Sequence, residues 1–581
     1  MKRTNVKKTA AALTIVGVLL AGCGGGDDDD GEAATEGTFD EQLVDDTPGV
    51  GRSGRPTDGG GERADPLDAE AGPVDDDEST DREATAGTTQ EPADAVTARS
   101  PEVVGVGTDA EGGLFGADEP PPDPDRQRGN TFEDYGYSDF VATSTDPLST
   151  FALDVDTGSY SVARRWIEEG TLPPRESVRP EEYVNAFDYD YDTPRSGLEL
   201  TIDGGPSPFA DDRHLVRIGV QGEIVDDRDR GPAALTFVID TSGSMDRDDR
   251  LGLVKDSLTI LVDELHADDT VAIVTYDDRS GVVLEPTEAG DRDEILDAID
   301  RLRPGGSTNL EAGLREGYAL ASDAFRRDGI NRVVLASDGV ANVGVTDPDQ
   351  LARMIREDAD RGINLVTVGF GMGNFDDVTM EQLADQGDGF YAYVDNEDEA
   401  ERLFEHELTS TLLTIAEDAK IQVEFDAEPV ESYRLIGFEN RGVLDRDFRD
   451  DDVDAGELGA GHQVTAIYEV ELRDGVSLDD RGDIGEVHLR WEDPDDGAVI
   501  EIDEDIDLRD VDERWSDTRP DFQLATVVAV FAEILRENPH AGLGYEALPD
   551  LSEETERIAE ELDDRRVDDL VVLIERADDL V

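Results

Sequence analysis

Between residues 235 and 413, short apolar runs alternate with amphipathic helical spacing, which restricts the possible folds more than any other feature of the chain. The runs 235–239, 271–276, 333–337, 363–370 and 390–394 are too short for core helices and too evenly apolar for strands with one wet face. Leu251, Val254, Leu258, Leu261 and Leu265 keep helical spacing between two of them. Further helices are expected at 294–302, 310–325, 348–356, 377–385 and 397–413, with a shorter strand at 281–284. Strands buried on both faces and joined by helices make a mostly parallel α/β sheet with helices on both sides.

The first run leads into Asp240-Thr241-Ser242-Gly243-Ser244. A carboxylate and two hydroxyls at alternate positions are hard oxygen ligands, and at the end of a buried strand they can face one small cation. Gly305-Gly306-Ser307-Thr308-Asn309 is a tight loop opening a helix and adds the Thr308 hydroxyl. Ala336-Ser337-Asp338-Gly339 closes a later run and adds a second carboxylate. Loops at the carboxyl ends of neighbouring strands meet where the strand order of a doubly wound sheet reverses. Asp240, Ser242, Ser244, Thr308 and Asp338 are therefore expected in one crevice. The plainer reading has Ser242 and Ser244 capping the next helix and Asp338 ending a strand. Three such segments in this order, over about 100 residues, weigh against it.

The pattern resembles the von Willebrand factor A (VWA) domain: Asp240-x-Ser242-x-Ser244, Thr308 within Gly-Gly-Ser-Thr-Asn-Leu, and Asp338 within Ser-Asp-Gly. The resemblance implies a Rossmann-like domain with a metal-ion-dependent adhesion site for Mg²⁺, or else Mn²⁺ or Ca²⁺. Ser242, Ser244 and Thr308 would bind the ion directly or nearly so, and Asp240 and Asp338 directly or through water. A protein or peptide partner would supply a carboxylate at the sixth position. Further stretches are similar to a bacterial group of A-domain lipoproteins. They are Leu-Asp-Val-Asp-Thr-Gly-Ser-Tyr from Leu153, Arg179-Pro-Glu-Glu-Tyr-Val-Asn, Ser432-Tyr-Arg-Leu-Ile-Gly-Phe-Glu-Asn440 and the C-terminal helices. That similarity covers about 132–581.

The N-terminus fits the same picture. Lys2, Arg3, Lys7 and Lys8 precede an apolar stretch at 10–20, which reads as a signal peptide. Leu20-Ala21-Gly22-Cys23 resembles a lipobox, implying cleavage before Cys23 and lipidation of its thiol. Localisation on the extracytoplasmic face of a cell membrane, by a lipid anchor, follows as an expectation. Cys23 is the only cysteine, so no intrachain disulfide can form. Residues 23–130 are acidic, rich in Gly and Pro, and without hydrophobic period. Such a segment cannot bury enough apolar surface to offset chain entropy and is expected to be a disordered tether of roughly 60 Å reach.

The remaining regions are set by pattern. Residues 1–22 are the signal peptide and 131–195 an N-terminal α/β flank. Strands of a flanking sheet follow at 196–230, the VWA domain at 231–415, a β-sandwich at 416–515 and a helical region at 516–581. Because strands stand on both sides of the α/β unit, that unit is either inserted into one antiparallel β-sandwich or flanked by two β elements. Insertion is favoured, since short edge strands are marginal alone.

The charge balance, 143 acidic against 51 basic residues and a net charge of −92, has the wrong sign for nucleic acid. It suits either cationic partners or solvation in high salt. Only five residues are Lys. Asp154-Val155-Asp156-Thr157 mimics an aspartyl-phosphate motif but has no matching Lys, and Asp156 and Thr157 are read as capping the next helix. Asp450, Asp452 and Asp454 begin like an EF-hand but reach Ala455 and Gly461 where Gly and Glu are needed. No His-Glu-x-x-His, phosphate loop or nucleophile elbow occurs. The reading is therefore not an enzyme but an envelope lipoprotein that binds a protein ligand through a metal. The alternative is a scaffold or assembly subunit of an envelope complex with a structural metal, and a hydrolase ranks last. The oligomeric state stays open.

Overall fold

The computed structural model describes residues 130–581, except 211–212, 227, 229, 328, 340–343, 346–347, 360, 373–374, 408–412, 452, 477, 479–481 and 495–496. The signal peptide, Cys23 and the tether lie outside the described residues.

The chain enters through two short strands, β1 (Val141–Ala142) and β2 (Leu148–Ala152). Helices α1 (Gly158–Glu168) and α2 (Pro180–Asn185) follow, then an antiparallel pair, β3 (Leu198–Pro206) and β4 (His214–Gly222). The alternating unit comes next, in the order β5 (Ala233–Asp240), α3 (Leu253–Glu264), β6 (Thr270–Tyr276), β7 (Ser280–Glu288), α4 (Arg292–Arg301) and α5 (Leu310–Ala324). It continues with β8 (Ile330–Ser337), α6 (Pro348–Ala359), β9 (Asn364–Phe370), α7 (Asp377–Asp385), β10 (Tyr391–Val394) and α8 (Glu397–Glu401). After it stand β11 (Thr414–Phe425), β12 (Val430–Ile436), β13 (Gly456–Gly459), β14 (Gln463–Leu472), β15 (Asp483–Asp493) and β16 (Ala498–Asp507). Three helices close the chain: α9 (Pro520–Leu535), α10 (Leu548–Leu562) and α11 (Arg565–Asp579).

The alternating unit forms one six-stranded sheet in the order β10-β9-β8-β5-β6-β7, parallel except for β7. All eight residues of β5 are buried, as expected for a central strand covered on both faces. Leu235, Phe237 and Ile239 point into the core under α3 and α4, whereas Val238 points into the core under α5 and α7. This period of two is that of a strand, and each fully buried aliphatic side chain contributes about 2 kcal/mol.

The flanking strands share sheets across the α/β unit. One sheet runs β1-β12-β14-β4-β3, so β4 and β14 pair although the entire α/β unit lies between them in sequence. In the other, β11 pairs with β15 on one side and with β2 and β13 on the other, and β16 extends β15. Their facing side chains, among them Val216, Ile218, Tyr468, Ile421, Val423 and Leu489, make one core. The α/β unit is thus inserted into a β-sandwich built from both flanks. The C-terminal helices cover the outer face of the first sheet and share a core with α1 and α2 through Tyr160, Tyr183, Phe187, Phe531 and Leu535. Fourteen of the sixteen residues of α9 are buried, which accounts for its apolar run, and among the described residues no helix is long and apolar enough to cross a membrane.

Two expectations need correction. The helix expected at 397–413 holds α-helical geometry only to Glu401, passes into a wider π-type turn at Arg402–Glu407, and a strand begins at Thr414. The chain breaks step within that strand. Register shifts separate its pairings, and Asp418 adopts φ 52°. The segment that begins like an EF-hand runs into β13, at whose start a Cβ on Gly456 would lie 1.9 Å from the Leu153 carbonyl oxygen. Finally, Asp156 and Thr157 do not cap α1 with their side chains. Thr157 stands at its N-cap, but its hydroxyl accepts from Arg402 Nη2 at 3.3 Å instead, while Asp154 Oδ1 accepts from the Asp156 amide at 2.9 Å and Asp156 Oδ1 from the Tyr391 amide at 2.7 Å. Both aspartates receive the Arg441 guanidinium, at 3.0 Å each, which also reaches Asp385 at 2.8 Å. Arg441 therefore ties the sandwich, the N-terminal flank and α7 of the inserted unit together.

Candidate metal centre

Sheet topology places the motif segments. From β5 the chain moves to β6 and β7 on one side, then crosses to β8, β9 and β10 on the other. The strand order reverses between β5 and β8, which run parallel with Ile239 opposite Ala336. Asp240 ends β5 and Asp338 follows the last residue of β8, so both carboxylates open onto the crevice at that switch point. Asp240, Ser242, Thr308 and Asp338 are buried to 2% exposure or less, and Ser244 is half-buried.

Hydrogen bonds join the hydroxyls and carboxylates. Ser242 Oγ lies 2.9 Å from Ser244 Oγ, and Ser244 Oγ donates to Asp338 Oδ1 at 3.0 Å. Asp240 Oδ1 accepts from the Ser242 amide at 2.7 Å, and Asp240 Oδ2 from Ser337 Oγ at 3.0 Å. Ser242 stands at the N-cap of a short 3₁₀ turn, Gly243–Met245, but its side chain caps nothing, so the plainer capping role fails. The Thr308 loop is stitched to this strand end by its backbone. The Gly243 amide donates to the Gly306 carbonyl at 3.0 Å, and the Gly305 amide to the Thr241 carbonyl at 2.7 Å. Gly306 adopts φ +86°, and a Cβ there would meet Asp277 at 2.8 Å, so this turn requires glycine. Asn309 then caps α5 by accepting from the Ala312 amide.

The electrostatics of the crevice favour a cation. Burial, joined by the charge of the neighbouring Asp338, pushes the Asp240 carboxyl up to about 7. Its hydrogen-bond partners, Ser242 and Ser337, are uncharged. Burial also raises Asp338, against the pull of Arg250, whose Nη1 binds Asp338 Oδ2 and the Ser244 carbonyl. Two of these contributors were not read from the sequence. Ser337 adjoins Asp338, and its role could be seen only once β5 and β8 were known to be neighbours. Arg250 belongs to no spacing rule, and it reaches the site because a π-type turn, Asp248–Gly252, precedes α3.

The donor set suits a small divalent ion. Oxygens about 2.05 Å from an octahedral ion stand about 2.9 Å apart along each edge. The Ser242–Ser244 and Ser244–Asp338 separations, 2.9 and 3.0 Å, are edges of that size.

Comparison with known proteins agrees with this architecture. Residues 234–406 match the von Willebrand factor type A domain model, 126–217 a model described as von Willebrand factor, and 410–580 one described as the C-terminal part of the uncharacterized protein YfbK. The chain therefore contains a VWA domain at 234–406. It is 40% identical over 336 residues to the uncharacterized protein YfbK of Escherichia coli (strain K12), covering 56% of this chain and 58% of YfbK. The alignment thus spans little more than half of that relative. Inter-alpha-trypsin inhibitor heavy chain H2 of Mus musculus is 25% identical over 190 residues, 31% of this chain and 19% of that protein. Among solved structures, a von Willebrand factor type A protein from Catenulispora acidiphila covers 64% of this chain and 88% of its own, at 16% identity and a TM-score of 0.37.

Proposed function

We propose that this protein binds a protein or peptide ligand through a divalent cation, Mg²⁺ or else Mn²⁺ or Ca²⁺, held by Asp240, Ser242, Ser244, Thr308 and Asp338. The observation that carries the reading is the contact of Ser242, Ser244 and Asp338 oxygens at 2.9–3.0 Å at the β5–β8 switch point, where Asp240 also ends its strand. When bound, the ion supplies a Lewis-acidic position for a carboxylate of the partner. Ser242 and Ser244 present neutral oxygens, so the ion keeps most of its charge for that partner. Ser337 and the Ser242 amide fix both oxygens of Asp240. Among the described residues no nucleophile–base pair accompanies the site, and the proposed role is holding a ligand rather than hydrolysis. With the net charge of −92, nucleic acid is not a partner in this reading.

Calorimetry with Mn²⁺ or Mg²⁺ tests the site. Asp240→Ala is expected to lose binding by at least about 100-fold, since it removes a ligand carboxylate. Unchanged affinity would discard the assignment. A purely structural metal, as in a scaffold subunit, predicts that chelator unfolds the domain. The backbone ties Gly243–Gly306 and Gly305–Thr241 hold the loops by themselves, so a thermal melt little changed by chelator is expected.

We further propose that the chain is lipid-anchored through Cys23 on the extracytoplasmic face of a cell membrane, with residues 23–130 as the tether. Cys23→Ala is expected to move the protein from the membrane pellet to the soluble fraction. Continued pelleting in buffer without detergent would contradict the anchor.

A further inference from the structure

Arg250 occupies an unusual place for a buried arginine. Its side chain is 6% exposed. Nη1 binds Asp338 Oδ2 and donates to the Ser244 carbonyl at 2.9 Å, and Nη2 binds the Met372 carbonyl in the loop after β9. Gly371, at φ +75°, makes room for it. A Cβ there would lie 2.5 Å from Arg250 Cγ and 2.6 Å from its Nε. That Nε is buried and has no hydrogen-bond partner among the described residues. A buried donor left unmatched disfavours the state that holds it. The guanidinium is therefore seated, but not fully satisfied, against a carboxylate that the divalent site also needs.

One positive charge on Asp338 and none on Asp240 leaves two buried carboxylates with half their charge balanced. A divalent ion at Ser242 and Ser244 would stand within a few ångströms of the guanidinium. Two cations that close repel strongly in a buried site. Both also draw on the same carboxylate, since Ser244 Oγ contacts Asp338 Oδ1 while Arg250 holds Oδ2.

We infer that Arg250 is a tethered competitor of the divalent ion for Asp338, so that ion binding loosens the guanidinium and, through Met372, the loop after β9. Arg250 then sets the affinity of the site and couples it to a neighbouring loop. This rests on the divalent-site reading above. The opposite role, a supporting group that orients Asp338, predicts the opposite sign. Removing such a group typically weakens metal affinity 10–100-fold.

Mn²⁺ titration of the full-length protein, with Arg250→Gln and Arg250→Lys, decides between them. Competition predicts that R250Q binds Mn²⁺ about tenfold more tightly than the parent protein. R250K keeps the charge but loses the fork to Met372, and is expected to fall between the two. If the parent protein binds Mn²⁺ and R250Q binds equally or more weakly, the inference is wrong while the divalent site stands. A parent protein that binds no Mn²⁺ overturns both. Should R250Q give no cooperative melt, hydrogen exchange on the parent protein decides. Mn²⁺ saturation is expected to speed exchange in peptides spanning residues 370–372, and slowed or unchanged exchange there would refute the coupling.

Discussion

Replacing Arg441 with alanine is expected to destabilise the protein by about 3–5 kcal/mol, the usual effect of removing one partner from a buried ionic cluster. Arg441 is 14% exposed and faces Asp154, Asp156, Asp385 and Glu381, of which Asp154, Asp156 and Glu381 are themselves buried. Without it, several carboxylates share one interface with fewer cations. Arg179, bonded to Glu182 and Asp377, is the nearest remaining support. The deficit should depend on pH in a definite direction. Burial raises Asp156 and Asp385 above the ordinary carboxylate range and lifts Glu381 to about 7, with Arg441 opposing each shift. A carboxyl raised in the folded state stabilises below its unfolded value and loses that contribution as pH rises through its folded value. Removing Arg441 raises these groups further, so the deficit is smaller at pH 5 than at pH 8. Urea titrations at the two pH values measure it. A deficit under about 1 kcal/mol, or one independent of pH, would show that the cluster does not hold the interface.

A methyl group at position 389 is expected to be about as damaging, for a steric reason. A Cβ on Gly389 would lie 1.8 Å from the Leu365 carbonyl oxygen and 2.7 Å from its carbon. Neither can yield easily, because Leu365 lies in β9, paired to β8 with Leu365 opposite Val333. The Leu365 amide also holds the Gly387 carbonyl at 2.7 Å. Gly389→Ala must therefore push β10 away from β9. Tyr391, which packs over Phe375 and bonds Asp377, would move with it. A loss of at least about 3 kcal/mol is expected, in the range of severe overpacking and backbone strain. Gly281→Ala, where a Cβ meets nothing within 4 Å, is the control and should stay within about 0.5 kcal/mol of the parent protein. Equal melting temperatures for the two variants would mean that β10 has more freedom than its pairing implies.

The inserted sheet was legible because its strands are buried on both faces. Burial on both sides forces evenly apolar runs, and β5, β8 and β9 have that composition for that reason. The helix at Asp377–Asp385 was legible to the residue because Asp376 caps it and the apolar spacing is regular. β1, two residues long, and β13, four residues long, had no such signal, since their formation depends on a distant partner. Asp156 and Thr157 were misread as caps because local chemistry favoured capping. Arg441, nearly three hundred residues away, claims Asp156 instead, and Arg402 reaches Thr157.

By itself, the sequence determined which oxygen-bearing residues this protein brings to the end of a parallel sheet, because Asp240, Ser242, Ser244, Thr308 and Asp338 each follow a strand or open a helix whose pattern is local. Only the tertiary structure decided what else enters that crevice and what holds the inserted unit in place. Arg250, Ser337 and Arg441 act across strands, loops and flanks distant in sequence. Their contacts depend on charge and reach after folding, which no local periodicity encodes.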